Sequence, residues 1–251
     1  MRNATFADSE ASQSGVINAA ELPRRFRIPL RNRAHGLHWL WAPVVLEEDW
    51  LTWCDGVLSG EEKQRAANYA FAWLSAHYRA SRGALRHALG EFIGMPPAQL
   101  MFQRGQFGKP SLENVRCAFN FSDSGNYWAA CMHRSTGVEA GIDIEATARF
   151  NNAGAGLVDA MLSSEERAAW HQRPPKFAAA ALVTVWTRKE AVLKALGTGL
   201  SIPMRGINVG WDADPRPVAL PNATGAIEHW YLHDLPALPR GLVGCVAINA
   251  E

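Results

Sequence analysis

The sequence has few cysteines, and none of them forms a recognisable metal or disulfide motif. The four lie at Cys54, Cys117, Cys131 and Cys245, without a Cys-x-x-Cys pair and without a histidine cluster that would complete a zinc site. Reduced thiols in a cytoplasmic protein are the simplest interpretation. An excess of charge is also absent, because the formal net charge is only +1. This balance argues against a surface that binds nucleic acid.

Long apolar segments are missing as well. None is long enough to cross a bilayer, and Asp8 and Glu10 lie where a signal peptide would carry an apolar stretch. We therefore expect no membrane partner. The hydrophobic content of 48% is ordinary for a globular protein with a substantial core.

The pattern of residues predicts alternating strands and capped helices. Ser59 and Glu62 have the spacing of a capping box, which starts a helical pattern that continues to Gly90, either unbroken or with one break. A basic arm from Pro23 to Arg33 is interpreted as solvated in preference to a binding patch. Strands are predicted at 38–45, 100–102, 118–121, 127–132 and 141–145, with closing strands at 207–209 and 229–248.

Two short patterns recur in the same order about a hundred residues apart. Leu58-Ser-Gly-Glu-Glu62 returns as Leu162-Ser-Ser-Glu-Glu166, and the segment Ala84–Gly90 matches Ala191–Gly197, with Gly90 opposite Gly197. An internal duplication explains both. Coincidence is the alternative, because capped helices rich in alanine and leucine are common.

Duplication predicts an α+β fold of two similar halves related by a pseudo-twofold, with the active site in the cleft between them. The predicted division is a mobile tail at 1–20, an N-terminal half at 21–130 and a C-terminal half at 131–251. A chain that forms its own cleft does not need a second copy, so we expect a monomer.

Two acidic residues share one side of a predicted strand. Asp143 and Glu145 lie two apart, and alternate residues of a strand point the same way. They repel each other unless they are solvated or neutralised by a hard cation such as Mg²⁺, which binds carboxylates together with substrate phosphates. Glu190, on a predicted helix, could supply a third carboxylate. Lys194, one turn later, could reach a phosphate bound to the same metal.

Three segments, in order, resemble the signature motifs of 4′-phosphopantetheinyl transferases of the Sfp type. They are Phe119-Asn-Phe-Ser-Asp-Ser-Gly125, Gly141-Ile-Asp-Ile-Glu145 and Trp186-Thr-Arg-Lys-Glu-Ala-Val-Leu-Lys194, and a Gly108-Lys-Pro110 loop precedes them as in that family. The resemblance implies the 4′-phosphopantetheinyl transferase fold of two similar α+β halves, in agreement with the repeat.

The resemblance also implies an activity. Such an enzyme transfers the 4′-phosphopantetheine group from coenzyme A to a serine of an apo acyl or peptidyl carrier protein and releases 3′,5′-ADP. Glu190 and Lys194 would be catalytic, and Asp143, Glu145 and Glu190 would bind Mg²⁺. The implied contacts to coenzyme A are Arg65, Arg82, Lys109, Pro110, Asn120, Ser122, Asp123, Asp143 and Lys194. Carriers of fatty-acid, polyketide and nonribosomal-peptide synthesis all remain open.

Asp123 departs from the family pattern, which has a histidine that contacts a coenzyme A phosphate at this position. A like-charge pair at close range costs on the order of a few kcal/mol. Asp123 could turn away, assist the metal or pair with a basic neighbour, and we expect weaker coenzyme A binding with activity retained. The alternative is a catalytically impaired relative that binds coenzyme A or carrier protein without efficient transfer. A third interpretation is that the carboxylates are merely solvated.

Overall fold

The computed structural model describes residues 32–105, 107–135, 137–151, 153–173, 178–211, 216–221 and 227–249. The predicted mobile tail and most of the basic arm lie outside these residues. Within them the predicted α+β fold is confirmed. The helices are α1 Glu48–Val57, α2 Gly60–Ala67, α3 Ala72–Ile93, α4 Ala155–Met161, α5 Ser164–His171 and α6 Ala178–Leu196. The strands are β1 Asn32–Ala34, β2 Leu37–Pro43, β3 Phe102–Arg104, β4 Pro110–Leu112, β5 Ala118–Ser124, β6 Tyr127–His133, β7 Ala140–Ala146, β8 Arg216–Pro221, β9 Ile227–Asp234 and β10 Leu242–Asn249.

Each half has one four-stranded antiparallel sheet and one long helix. The first sheet has the order β1-β2-β6-β5 and carries α3, while the second has the order β7-β10-β9-β8 and carries α6. Alternation along the strands directs Phe119 and Trp128 into the first core, against Leu85 and Leu89 of α3. The buried faces of α6, β9 and β10 form a second core. Each half therefore has a hydrophobic core of its own, and a third cluster contains buried residues of both sheets, such as Trp39 and Ile142.

Helix α6 approaches strand β7 closely at Gly141. A methyl group at this position would overlap the carbonyl oxygen of Ala191 and would lie 2.5 Å from the backbone nitrogen of Ala195. Both atoms belong to helical backbone, which cannot move without shifting the whole helix. Gly141 therefore allows the close packing that brings the last turns of α6 onto the strand that carries Asp143 and Glu145.

We expect Gly141→Ala to lower the free energy of unfolding by about 1–3 kcal/mol, since overpacking at a backbone contact cannot be relieved by a side-chain rotation. Urea denaturation measures the change. The control is Gly156→Ala in α4, where an added methyl group meets nothing within 4 Å. Equal effects of the two substitutions would contradict the close-packing argument.

The same elements recur in the two halves. Helices α2 and α5 both begin with complete capping boxes, formed by Ser59 with Glu62 and by Ser163 with Glu166. The long helices end at glycines with positive φ, Gly94 after α3 and Gly197 after α6. These shared features support the internal duplication. The pseudo-twofold relation of the halves stays a prediction.

The predicted register of the repeat is wrong by one helical turn. Gly90 lies inside α3, and the glycine that ends this helix is Gly94, so Gly94 is the equivalent of Gly197. A methyl group at Gly90 would lie 2.6 Å from the carbonyl oxygen of Met95, so this glycine is explained by a close approach rather than by a helix end. The corrected register sets His87 opposite Glu190.

Side-chain hydrogen bonds join the two sheets between β5 and β7. The backbone nitrogens of Ile142, Ile144 and Ala146 donate to side-chain oxygens of β5 at 3.1–3.3 Å. The acceptors are Asn120, Ser122 and Ser124. We call this row of bonds the β5–β7 seam. It satisfies strand amides that would otherwise be buried without partners.

The predicted division between residues 130 and 131 falls inside β6. This strand pairs along its length with β2 and β5, so it belongs to the first half. We propose instead that the halves meet at the connection between His133 and Ala140.

Two further expectations differ from the structure. Residues 207–209 form no strand, because Glu166 binds this segment by accepting hydrogen bonds from the backbone nitrogens of Val209 and Gly210, at 2.8 and 3.1 Å. Helix α1 was not predicted. No helix in the described part of the chain combines the length and apolar character needed to span a membrane.

Candidate active site

Asp143 is the centre of a buried polar cluster at the β5–β7 seam. Its side chain is 4% exposed, and Oδ1 accepts hydrogen bonds from Lys194 Nζ at 2.6 Å and from Ser122 Oγ at 2.9 Å. Lys194 Nζ also donates to Ser122 Oγ at 2.9 Å. Oδ2 of Asp143 is buried and has no hydrogen-bond partner. The structure thus brings together three of the predicted residues and leaves one carboxylate oxygen unsatisfied.

Glu145 lies two residues further along β7 and has its own partners. Ser124 Oγ donates to Oε2 at 3.1 Å, and Arg149 forms an ion pair with Oε1. The Arg149 guanidinium lies over the ring of Trp186, 5.2 Å from its centroid. Sequence reasoning missed Ser124 and Arg149, although Arg149 follows Glu145 at the spacing of a helical ion pair.

Glu190 on α6 completes the acidic group. Burial raises the pKa of Glu190 above its ordinary value, and repulsion from Asp143 raises it further. Burial and the same neighbour raise the pKa of Glu145, and burial raises the pKa of Asp143 against the opposing effect of Lys194. Asp143 therefore disfavours the charged forms of both Glu145 and Glu190.

The predicted metal triad is not assembled as a ligand set. Among the described residues, no three acidic, histidine or cysteine side chains converge at metal-binding distances. The physical reason is that Asp143 and Glu145 already bind cations of the chain, Lys194 and Arg149. The residues nevertheless fit a hard divalent ion in their chemistry, because the available donors are carboxylate oxygens and Asp143 Oδ2 lacks a partner.

Two adjoining cavities lie beside α3, on the face of β5 opposite the seam. The first has a volume of about 310 Å³ and includes Asp123, and the second has a volume of about 350 Å³ and includes Pro110. Both contain the predicted residues Arg65 and Arg82. They share four lining residues: Arg65, Tyr78, Arg82 and Arg104. Within the described part of the chain, the residues that line them all belong to the first half, so these cavities do not span the junction of the halves.

Sequence reasoning missed three contributors to these cavities. Tyr78 and His77 lie one turn before Arg82 on α3, and Arg104 ends β3. The aromatic and basic side chains were visible in the sequence, but their convergence depends on α3 and the short β3–β4 hairpin packing side by side.

Lys109 and Asn120 do not line either cavity. Lys109 Nζ donates to Glu139 Oε2 and to the carbonyl oxygen of Ala195, both at 2.5 Å, and its side chain lies against Gly197. Asn120 is buried in the seam. Both residues therefore join the halves in this structure, and their predicted contacts to coenzyme A remain predictions.

The comparisons with known proteins agree with the motifs. The family model described as the 4′-phosphopantetheinyl transferase superfamily matches residues 139–247. The 4′-phosphopantetheinyl transferase HetI of Nostoc sp. is 32% identical over 167 residues, which cover 64% of this chain and 69% of that protein. The 4′-phosphopantetheinyl transferase gsp of Aneurinibacillus migulanus is 28% identical over 60% of each chain. The chain therefore belongs to the 4′-phosphopantetheinyl transferase family, as its motifs predict.

Proposed function

We propose that this protein transfers 4′-phosphopantetheine from coenzyme A to a serine of an apo carrier protein and releases 3′,5′-ADP. The observation that carries the proposal is the Asp143–Lys194–Ser122 cluster. Ser122 of this cluster is followed on β5 by Asp123, which lines the first of the arginine-lined cavities. Phosphoryl transfer requires little covalent chemistry from the protein and depends on positioning and charge stabilisation. The cluster supplies a fixed ammonium group, and the arginines that line the cavities on the other face of β5 supply further positive charge.

Lys194 and Glu190 take the catalytic roles. The Lys194 ammonium, oriented by Asp143 and Ser122, stabilises the charge that develops on the departing phosphate. Glu190 lies one turn earlier on the same helix and accepts the proton of the carrier serine, directly or through water. Arg65, Arg82 and Arg104 bind the phosphates of coenzyme A in the adjoining cavities.

Asp143, Glu145 and Glu190 would bind a divalent cation, for which Mg²⁺ is the expected ion. Such an ion neutralises the charge on phosphate oxygens and orients the attacking group. The support for this site is the unsatisfied Asp143 Oδ2 and the repulsion by Asp143 that raises the pKa of Glu145 and of Glu190.

The finer properties are part of the same proposal. The site uses residues of both halves of one chain, which favours a monomer. The four cysteines are buried and outside disulfides, as expected in the reducing cytoplasm. The near-neutral net charge of +1 favours carrier protein and coenzyme A over nucleic acid as partners.

A mass-shift assay tests the transfer. Incubation with coenzyme A, Mg²⁺ and a panel of apo carriers of fatty-acid, polyketide and nonribosomal-peptide type should add about 340 Da to at least one carrier, the mass of the arm moved by this phosphoryl transfer. A carrier with its target serine changed to alanine is the control and should gain nothing. The absence of a shift across the panel would refute the activity.

The alternative is a relative that binds coenzyme A or carrier protein without efficient transfer. The observation that favours it is the acidic Asp123 in the first cavity. It predicts calorimetric binding of coenzyme A without any mass shift, and no gain of activity in Asp123→His.

A further inference from the structure

The first cavity contains one acid among several basic groups. Asp123 is its single acidic lining residue within the described part of the chain, and the structure gives its carboxylate no ion-pair partner there. The second cavity contains two acids, the exposed Glu61 and Glu62, and Glu62 is neutralised by Arg82 at 2.9 Å and by Arg86 at 2.7 Å. In the first cavity, Asp123 is the acid that lies among the basic side chains.

This carboxylate decides which part of a ligand can lie beside it. Like charges at close range repel each other. A phosphate is thus directed away from Asp123, toward the arginines that both cavities share. An ionised carboxylate accepts hydrogen bonds only, so the group that faces it must be a donor, and the donors of a nucleotide are its amine and hydroxyl groups.

The remaining walls suit a flat ring. The rings of Tyr69 and Tyr78 lie 5.6 Å apart, the Arg65 guanidinium is 5.4 Å from the Tyr78 centroid, and Phe121 lies next to Asp123 on β5. Aromatic side chains and arginine planes are surfaces on which nucleobases stack. The volume of about 310 Å³ is within the range of small-molecule sites.

We propose that Asp123 recognises the nucleoside of coenzyme A by accepting a hydrogen bond from the exocyclic amine of adenine or from the ribose hydroxyl. The inference rests on the proposed function for the identity of the ligand. It gives Asp123 a role in specificity, in which an acid among arginines orients the nucleoside while the arginines bind its phosphates. Replacing the amine by a carbonyl would place two acceptors against each other and leave both unsatisfied.

Binding of nucleotides by calorimetry tests this without relying on transfer. The probes are adenosine 3′,5′-bisphosphate, its inosine analogue without the amine, and its 2′-deoxyadenosine analogue without the hydroxyl. We expect the wild type to bind the adenosine compound at least about tenfold more tightly than one of the two analogues. In Asp123→Asn that ratio should fall below about threefold, because the neutral amide is a weaker acceptor than a carboxylate for either group and can also donate to the inosine carbonyl.

The control is Glu91→Gln, which removes the same charge from an exposed position on α3 outside both cavities. It should keep the wild-type ratio. An affinity ratio that is unchanged in Asp123→Asn would overturn the proposal. The same holds if this variant binds all three nucleotides more tightly by one common factor, a result that would show simple charge repulsion. If the wild type transfers phosphopantetheine but does not distinguish the ligands, the specificity role fails and the function stands. If it distinguishes them as expected but transfers nothing, the function fails and the role of Asp123 stands.

Discussion

Asp143→Asn should lower kcat/KM for carrier modification by about a thousandfold, comparable to the loss of one preorganised electrostatic group at a transition state. The asparagine has nearly the same shape and can still accept a hydrogen bond from Lys194, but it lacks the negative charge that holds the ammonium group in place. The substitution also turns one of the two carboxylate oxygens into an amide nitrogen, which cannot bind a cation. The unsatisfied Oδ2, the oxygen best suited to a cation, is then either lost or paired with such a nitrogen. Initial rates of holo-carrier formation over a Mg²⁺ titration measure the loss.

Three further results make this prediction specific to the reaction centre. The variant should bind coenzyme A without added metal nearly as well as the wild type, because the cavity residues are unchanged. Its affinity for Mg²⁺ in calorimetry should fall. The control Glu113→Gln, an exposed acid outside both cavities, should keep full activity. A loss of less than tenfold in kcat/KM would show that Asp143 has a structural role at the seam and no catalytic one.

The local features of the fold could be predicted from the sequence. Both capping boxes form as their spacing predicts, since a serine and a glutamate three residues later satisfy each other's backbone groups without help from distant residues. The strand with Asp143 and Glu145 also forms where its alternation predicts. Helix α1 was missed, because it lacks a side-chain capping hydrogen bond at its start that would mark it in the sequence.

The register of the repeat could not be fixed in the same way. A helix rich in alanine and leucine matches another almost equally well after a shift of one turn, so sequence similarity alone chose Gly90 as the helix end. The choice between Gly90 and Gly94 depends on tertiary contacts, namely the close approach of Met95 to Gly90 and the positive φ of Gly94.

The acidic residues of the candidate site could be predicted from the sequence, but most of the side chains that bind them could not. Asp143, Glu190 and Lys194 stand out by motif and spacing. Ser124 and Arg149 do not, because their bonds to Glu145 depend on the seam and on the turn that follows β7. The first cavity was harder still to predict from the sequence, since α2, α3, β3 and β5 all contribute residues to it.

Lys189→Met should lower the free energy of unfolding by about 3–5 kcal/mol, the usual cost of removing one partner of a buried ion pair. Lys189 is fully buried and donates to Glu166 at 2.5 Å and to the carbonyl oxygens of Met161 and Met204, at 2.7 and 3.0 Å. Burial lowers the pKa of Lys189, an effect that the bonds to Glu166 oppose. Methionine fills the space but leaves Glu166 charged, buried and without its cation. Urea denaturation measures the change.

Because Glu166 also accepts from the backbone of Ser163 and Val209, the loss reflects a network that holds α5 and the 207–210 segment against α6. Adding Glu166→Gln to Lys189→Met should recover part of the stability, since the neutral amide no longer carries an unpaired charge. The control is Arg167→Met, at the residue after Glu166 on α5. It breaks an exposed pair with Asp159 of α4 and should change stability by less than about 1 kcal/mol. If Lys189→Met lowered the free energy of unfolding no more than Arg167→Met does, apolar packing could replace the Lys189–Glu166 pair. A large loss would instead show that α6, and with it Glu190 and Lys194, is anchored by a charge pair that takes no part in the chemistry.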